Sequence, residues 1–356
     1  MNGSTSSVSA RAIVAREPVQ GKPDWKLEDV TLRQLESNEL LIRIVATGVC
    51  HTDLLFALMP PEAGPYPKVL GHEGAGYVQE IGSKVQNATV GDAVLLSFQF
   101  CSTCKNCKQN HPAYCQKFEE LNYSGDPEVF HVADGSKSSG SFFGQSSFSS
   151  FAIVKDSSTI KVTDLIKNEE ELKLFAPLGC GFQTGVGTVD QLAAAGSQDT
   201  VVIMGLGGVG LTAVMAAKMK ECAIVIGIDR VPERLKIAKM CGATHTINTS
   251  DSELDLEEVV KALTGGNGPT ITVDTTGNVN LIRMGVDFTA NRGQMILLGV
   301  APMDASLDVP LVKFMQTGKQ LRGSIEGDTA PSEVEEFQTA ITEMHTGVAI
   351  KPVLIW

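Results

Sequence analysis

Short apolar runs broken by glycine, proline and charged residues fill residues 11–160, among them LLIRIVATG, GAGYVQEIG and DAVLLSF. Runs of this length without a helical period predict an irregular, largely β region. From about Gly181 the texture changes: TVVIM, a glycine cluster and LTAVMAAKMK are followed by the strand-like AIVIGID, THTIN, TITVD, QMILLG and QLRGS. The helical patterns VPERLKIAKMCG and SELDLEEVVKALTG lie between several of them. Such alternation predicts a parallel sheet with helices on both faces. Near the C-terminus, PSEVEEFQTAITEMHTG reads as a helix and KPVLIW as a terminal strand. The Gly/Ser-rich segment from Gly125 to Ser150 has neither period and is expected to be a long surface or pocket-rim loop.

The string GLGGVG sets Gly205, Gly207 and Gly210 in a GxGxxG pattern, with Gly208 and Val209 inside it, between a strand and a helix. The first glycine permits the tight turn, the second lets a pyrophosphate approach the backbone, and the third lets helix and strand pack closely. Free N–H groups at the helix start then face the phosphates. Asp229 ends the next strand, 19 residues after Gly210. An acidic side chain there accepts both ribose hydroxyls and repels a 2′-phosphate, which favours NAD over NADP, although Arg230 beside it pulls the other way. The bland alternative is a glycine turn that only packs a βαβ unit.

A chain of 356 residues exceeds the size at which one core keeps growing, so roughly two domains are expected. The formal charge of −12 disfavours nucleic acid and anionic membrane as partners and points to a small-molecule ligand. The start, MNGSTSSVSARAIVAREP, lacks a run of signal-peptide length, and no later run approaches a membrane span. A cytoplasmic protein is therefore the expectation, and in that reducing compartment clustered cysteines suggest metal rather than disulfides.

Four of the eight cysteines, Cys101, Cys104, Cys107 and Cys115, stand within CSTCKNCKQNHPAYC. They make a complete Cys₄ set with no position left for substrate, a structural zinc site. Elsewhere GVCHTD, GHEGAG and PLGCGFQTG carry Cys50, His72 and Cys180. Singly, each reads as a small buried hydrophobe or a satisfied core histidine. Together they form a Cys₂His set, which leaves one tetrahedral position on zinc open to water or substrate. Cys222 and Cys241 are left without a ligand role.

These strings, in this order, resemble the zinc-dependent, medium-chain alcohol dehydrogenases, whose catalytic zinc has this Cys₂His ligand set, and the likeness covers nearly the whole chain. PLGCGFQTG and SIEGD most resemble the aryl- or benzyl-alcohol dehydrogenase branch. The resemblance implies an α/β fold: a Rossmann doubly wound parallel sheet of residues 182–323 for NAD, and a GroES-like β-barrel catalytic domain of residues 1–181 and 324–356. It places a catalytic zinc on Cys50, His72 and Cys180 in the cleft between the domains, with Glu73 close behind the metal and Asp53 orienting His72.

The implied reaction is hydride transfer between a primary alcohol, aryl or allylic, and NAD⁺, with zinc lowering the alcohol's pKa. Thr52 would be the first proton carrier. Some relatives carry a histidine five residues after the first ligand, where this chain has Leu55. His51 would then complete the relay, or contact the pyrophosphate while water carries the proton. Thr184, Val209 and Leu298 would flank the nicotinamide, Arg234 would reach the adenosine ribose, and Lys351 would lie near the pyrophosphate. Phe98, Phe100, Phe142 and Phe143 are candidates for an aromatic substrate pocket, though such runs are more often core. Two zinc ions per chain and a homo-oligomer, dimer or tetramer, are expected. The alternatives are a reductase of the same fold working from aldehyde to alcohol, with NADPH as a possible cofactor, and a non-catalytic zinc-stabilised binding protein.

Overall fold

The computed structural model describes residues 7–250, 253–331, 351 and 353–356, without the side chain of Ala63. All but the first residue of the helix expected at PSEVEEFQTAITEMHTG lies outside the described residues. The chain forms two compact units, one of residues up to Gly181 with Ala330, Pro331 and the described C-terminal residues, the other of Phe182–Thr329.

The first unit begins with β1 (Val8–Val19), β2 (Lys22–Leu32) and β3 (Glu39–Gly48), followed by α1 (His51–Leu58). Next come β4 (Lys68–Val69), β5 (Gly74–Ile81), β6 (Ala93–Leu96), and the short helices α2 (Lys105–Lys108) and α3 (Phe118–Asn122). The strands β7 (Asp126–Val132), β8 (Lys137–Gly140), β9 (Phe151–Lys155) and β10 (Thr159–Lys161) precede α4 (Glu169–Leu174). Strands β1, β2, β7, β8 and β4 close a barrel, and β10-β6-β5-β3 make a second sheet that a strand near the C-terminus, residues 353–355, extends at β3. Nine of the ten residues of β3 are buried, as a strand covered on both faces requires.

Within the expected loop over 125–150, residues 126–132 and 137–140 are instead strands of the barrel. Strands β7 and β8 form an antiparallel pair, β7 pairs with β2, and Ser138 through Ser149 are buried. In β8, KSSG, the small Ser and Gly side chains carry no apolar alternation while their backbone joins the sheet.

In the second unit, α5 (Gly181–Gly187) leads through a π turn into β11 (Thr200–Met204), α6 (Gly208–Met219), β12 (Ile224–Asp229) and α7 (Pro232–Cys241). Then come β13 (His245–Asn248), α8 (Leu256–Leu263), β14 (Ile271–Asp274), α9 (Val279–Phe288), β15 (Gln294–Leu297), α10 (Leu311–Thr317) and β16 (Gln320–Gly323). The sheet is parallel in the order β13-β12-β11-β14-β15-β16, with the first strand in the middle. Val202, Met204, Ile226, Ile228, Phe288 and Met295 form its core. Asp255 and Asn278 cap α8 and α9 by accepting from N–H groups of their first turns, the donors an isolated helix start leaves unpaired. The strand of the first unit at Val353–Ile355, β17, completes the set. Among the described residues no helix is long and apolar enough to cross a membrane.

Candidate metal and cofactor sites

Asp53 organises the first site. Cys50 is the N-cap of α1, and its N–H donates to Asp53 Oδ2 at 2.9 Å, which fixes the sulfur where the chain leaves β3. Asp53 Oδ1 accepts from Gly71 N–H at 3.1 Å and lies 2.9 Å from His72 Nδ1. One fully buried carboxylate thus ties the start of α1 to the turn that presents His72. Gly71 is required in that turn: its φ is +90°, and a Cβ there would stand 2.4 Å from Phe148 N.

Gln145 clamps the next three residues. Its Oε1 accepts from Gly74 N–H at 3.0 Å, and its Nε2 donates to the carbonyls of His72 at 2.9 Å and Ser97 at 3.1 Å. Ser97 in turn donates to Gly179 O at 2.7 Å, so the same corner positions Cys180. Gly179 cannot carry a side chain, because its Cβ would lie 1.7 Å from Leu96 O. The carboxylate of Glu73 fits only because position 48 is glycine, where a Cβ would lie 2.0 Å from Glu73 Oε2. Its other oxygen accepts from Gly181 N–H at 3.2 Å and pairs with Lys351.

The ligand atoms of Cys50, His72, Glu73 and Cys180 all lie within 4.8 Å of one another. Asp53 occupies Nδ1 of His72, while Nε2 and Glu73 Oε2 are buried and have no hydrogen-bond partner. Orphaned buried polar atoms are costly, and a dication explains both at once. Hydrogen bonding from Cys180, against the cost of burial, and the nearby His72 and Lys351 hold the Cys50 thiol well below its usual range. The thiolate is the ligating form, so this donor set fits zinc. Burial opposes charge on His72, yet Asp53 and Cys50 raise it well above the usual imidazole range. Burial raises Glu73, partly offset by Lys351.

Cys101, Cys104, Cys107 and Cys115 form the second cluster, again with sulfurs within 4.8 Å. Cys101 and Cys107 sulfurs are 3.9 Å apart, Cys104 and Cys107 sulfurs 3.5 Å. None of the eight cysteines is in a disulfide. Burial opposes ionisation of Cys101, but hydrogen bonds from Thr103 and Cys104 bring it down to about 6, while burial and neighbouring thiols push Cys107 up to about 12. Four thiolates in so small a ring repel one another unless a cation joins them.

In the second unit the glycines of GLGGVG have three different surroundings. Gly205 has φ +90°, and a Cβ on Gly210 would sit 1.9 Å from Gly205 O. A Cβ on Gly207 would meet nothing within 4 Å, so one face of the turn is open to a ligand. Gly208 and Val209 are partly exposed beside it. Asp229 accepts from Leu206 N–H at 2.8 Å and Val231 N–H at 2.9 Å, which aims the carboxylate at the turn, and Arg234 approaches it at 3.6 Å. Leu298 follows β15 at the carboxyl end of the sheet, its N–H donating to Asp274 O. Thr184 lies on α5, whose Gly185 backs onto Val209 O and Thr212 Oγ1.

Thr52 is half-buried, its hydroxyl 3.7 Å from Cys50 Sγ, and His51 is exposed. Lys351 differs from the sequence expectation: its ammonium is nearly buried against Glu73. Burial opposes its charge, yet Glu73, Cys50 and Cys180 hold it above the usual lysine range. Phe98, Phe142 and Phe143 are buried among Phe56, Phe118 and Tyr123, with half-buried Phe100 alongside, and so act as packing. Phe143 stacks on the His72 ring at 4.6 Å and Phe142 meets it edge-on at 5.6 Å, which fixes the imidazole plane. Sequence reasoning missed Gln145, whose Ser-rich surroundings gave no signal, and the glycines at 48 and 179, which the strings GVC and GCG did display.

Known proteins share this fold. The family model described as an alcohol dehydrogenase GroES-like domain matches residues 36–164, and that of a zinc-binding dehydrogenase matches residues 208–346. A geraniol dehydrogenase of Castellaniella defragrans is 34% identical, with 100% of both chains covered. The crystal structure of an alcohol dehydrogenase zinc-binding domain protein from Burkholderia ambifaria superposes with a TM-score of 0.87 at 32% identity, covering 98% of this chain and 99% of the other. That of benzyl alcohol dehydrogenase from Acinetobacter calcoaceticus gives a TM-score of 0.83 at 31% identity, covering 97% and 99%. Full-length likeness at this identity, joined to a thiolate–imidazole site built for zinc and a parallel sheet with an open glycine turn, places the chain in the zinc-dependent medium-chain alcohol dehydrogenase family.

Proposed function

We propose that this enzyme interconverts a primary aryl or allylic alcohol and its aldehyde with NAD(H), using one catalytic and one structural zinc ion. The observation that carries the reading is the converging set of Cys50, His72 and Cys180, with His72 Nε2 buried and unpartnered. Zinc held there supplies Lewis acidity towards an alcohol or aldehyde oxygen, and a nicotinamide supplies the hydride acceptor or donor.

The chain's own residues provide position and proton transfer. Asp53 and the two phenylalanines fix the imidazole, and Gln145 fixes the backbone that carries it. Thr52 sits beside Cys50 on the exposed start of α1, where its hydroxyl accepts the alcohol proton and passes it towards His51 and solvent. Glu73, kept in place by Lys351, would offer a carboxylate oxygen to the same site beside the two thiolates and the imidazole. Gly205, Gly207, Gly208 and Gly210 receive the pyrophosphate, Asp229 the adenosine ribose with Arg234 beside it, and Thr184, Val209 and Leu298 the nicotinamide.

The relatives named geraniol and benzyl alcohol dehydrogenase support the aryl or allylic class. The buried Asp229 carboxylate supports NAD. Exposed Met303, Leu311, Val312 and Met315, in the stretch leading to β16, the last strand of the parallel sheet among the described residues, support a homo-oligomer, because such a surface calls for a second copy of the chain. The test is a screen of aliphatic, benzylic and allylic alcohols and aldehydes with both cofactors, repeated with Cys50→Ala. Turnover that persists in Cys50→Ala, or is confined to NADP or to short aliphatic alcohols, overturns the corresponding part of the reading.

A further inference from the structure

We propose that Glu326 is a positioning residue of the cofactor site: by accepting the hydroxyl hydrogen bond of Thr184 it fixes that oxygen as an acceptor towards the nicotinamide and biases the enzyme towards the oxidised cofactor. The proposal rests on Thr184 flanking the nicotinamide, as read above.

Glu326 is buried, and its Oε2 accepts from Thr184 Oγ1 at 3.3 Å and from Gln183 Nε2 at 3.1 Å. The backbone that delivers it is unusual. Glu326, Gly327 and Asp328 stand in succession at φ +48°, +69° and +57°, two of them residues for which the left-handed region is unfavourable. This stretch lies directly on α5. A Cβ on Gly327 would be 2.8 Å from Thr184 O and 3.0 Å from Gln183 O, and one on Gly187 would be 2.6 Å from Gly327 O. Thr188 adds a strut, donating to Thr184 O at 2.7 Å and lying 2.8 Å from Ser324 Oγ. On another side α5 touches the first turn of α6, where a Cβ on Gly185 would be 2.2 Å from both Val209 O and Thr212 Oγ1. Thr184 is thereby held between the 324–328 stretch and the helix that opens the glycine turn.

A threonine hydroxyl has one hydrogen, and a carboxylate has none to give. While it donates its hydrogen to Glu326, Thr184 offers a cofactor only lone pairs. The ring of NAD⁺ is cationic with polarised C–H groups, and that of NADH is neutral, so a fixed acceptor favours the oxidised form. A ligand shifts an equilibrium only through such differential affinity.

The experiment titrates NAD⁺ and NADH separately into full-length, zinc-loaded protein without alcohol, for wild type, Glu326→Gln, Thr184→Val and the double variant. Glu326→Gln is expected to weaken NAD⁺ about tenfold relative to NADH, the scale of one hydrogen bond to a charged group. Thr184→Val is expected to shift the ratio in the same direction, and the double variant no further, since the two residues act through one oxygen. Equal weakening of both nucleotides, or an undiminished Glu326→Gln effect in the Thr184→Val background, overturns the proposal and leaves the cofactor site intact. If Glu326→Gln fails to fold, Thr184→Val alone decides, and an unchanged ratio overturns it. Wild-type protein that binds neither nucleotide removes the cofactor-site reading itself, and the proposal with it.

Discussion

Asp53 Oδ1 stands 2.9 Å from His72 Nδ1, and both side chains are fully excluded from solvent. The contact leaves Nε2 as the only ring nitrogen available to a metal, and the negative charge makes the ring a better donor. Asp53→Asn keeps the shape and loses the charge. It is expected to weaken zinc at the Cys50 site by about 10–100-fold, as read by competition with a chelator, while the Cys₄ site keeps its metal.

Gly179→Ala tests whether the Cys180 loop depends on a backbone contact. The added methyl would lie 1.7 Å from Leu96 O, which no rotamer relieves. The expected cost is roughly 1–3 kcal/mol in denaturant melts, with turnover lost through displacement of Cys180. Unchanged stability and activity would show that the loop has room to shift.

Cys104→Ser should separate the two metal sites. Elemental analysis is expected to fall from about two zinc ions per chain to about one. The melting temperature should drop because the metal binding energy is part of the folding energy. Turnover per remaining folded molecule should persist, since none of the Cys50 ligands is touched.

Glu39 is fully buried in the first unit. Arg33 donates to both of its oxygens at 2.7 and 2.8 Å, and Lys155 lies at 2.7 Å. Burial pushes its carboxyl up, but these cations outweigh that and bring it from 4.5 down to about 2. A folded value below the unfolded one means stability present above the unfolded value and lost as pH falls through the folded one. Roughly 3 kcal/mol should disappear between about pH 4.5 and pH 2. In Glu39→Gln this part is absent, so urea melts of the two proteins should converge as the pH is lowered through that window.

The chemistry-bearing residues were legible because their types are rare and their spacing is tight. The Cys₄ ring spans fifteen residues, and Cys50, His72 and Cys180 gained meaning from their glycine-rich strings as a set. The parallel sheet was legible for a similar reason, since period-switching between TVVIM and LTAVMAAKMK is local. What stayed hidden depends on distant partners. Gln145 acts on Gly74, 71 residues away, and Glu326 on Thr184, 142 residues away. Lys351 was assigned by analogy to a phosphate, whereas its buried partner is a carboxylate that no pattern near position 351 announces. Strand β8 was hidden differently: its pairing uses backbone groups, which serine and glycine supply without leaving an apolar signature.

Lys351 and Glu73 are 278 residues apart in the chain, and β17 lays Val353 opposite Gly48, the glycine that makes room for the Glu73 carboxylate. During vectorial synthesis the thiols and imidazole therefore emerge long before the lysine and strand that finish their surroundings. Until then Glu73 lacks its lysine and the Ala46–Gly48 end of β3 lacks the partner that β17 supplies, so the nascent first unit must wait for residues 351–355 before the surroundings of Cys50 and Glu73 are complete.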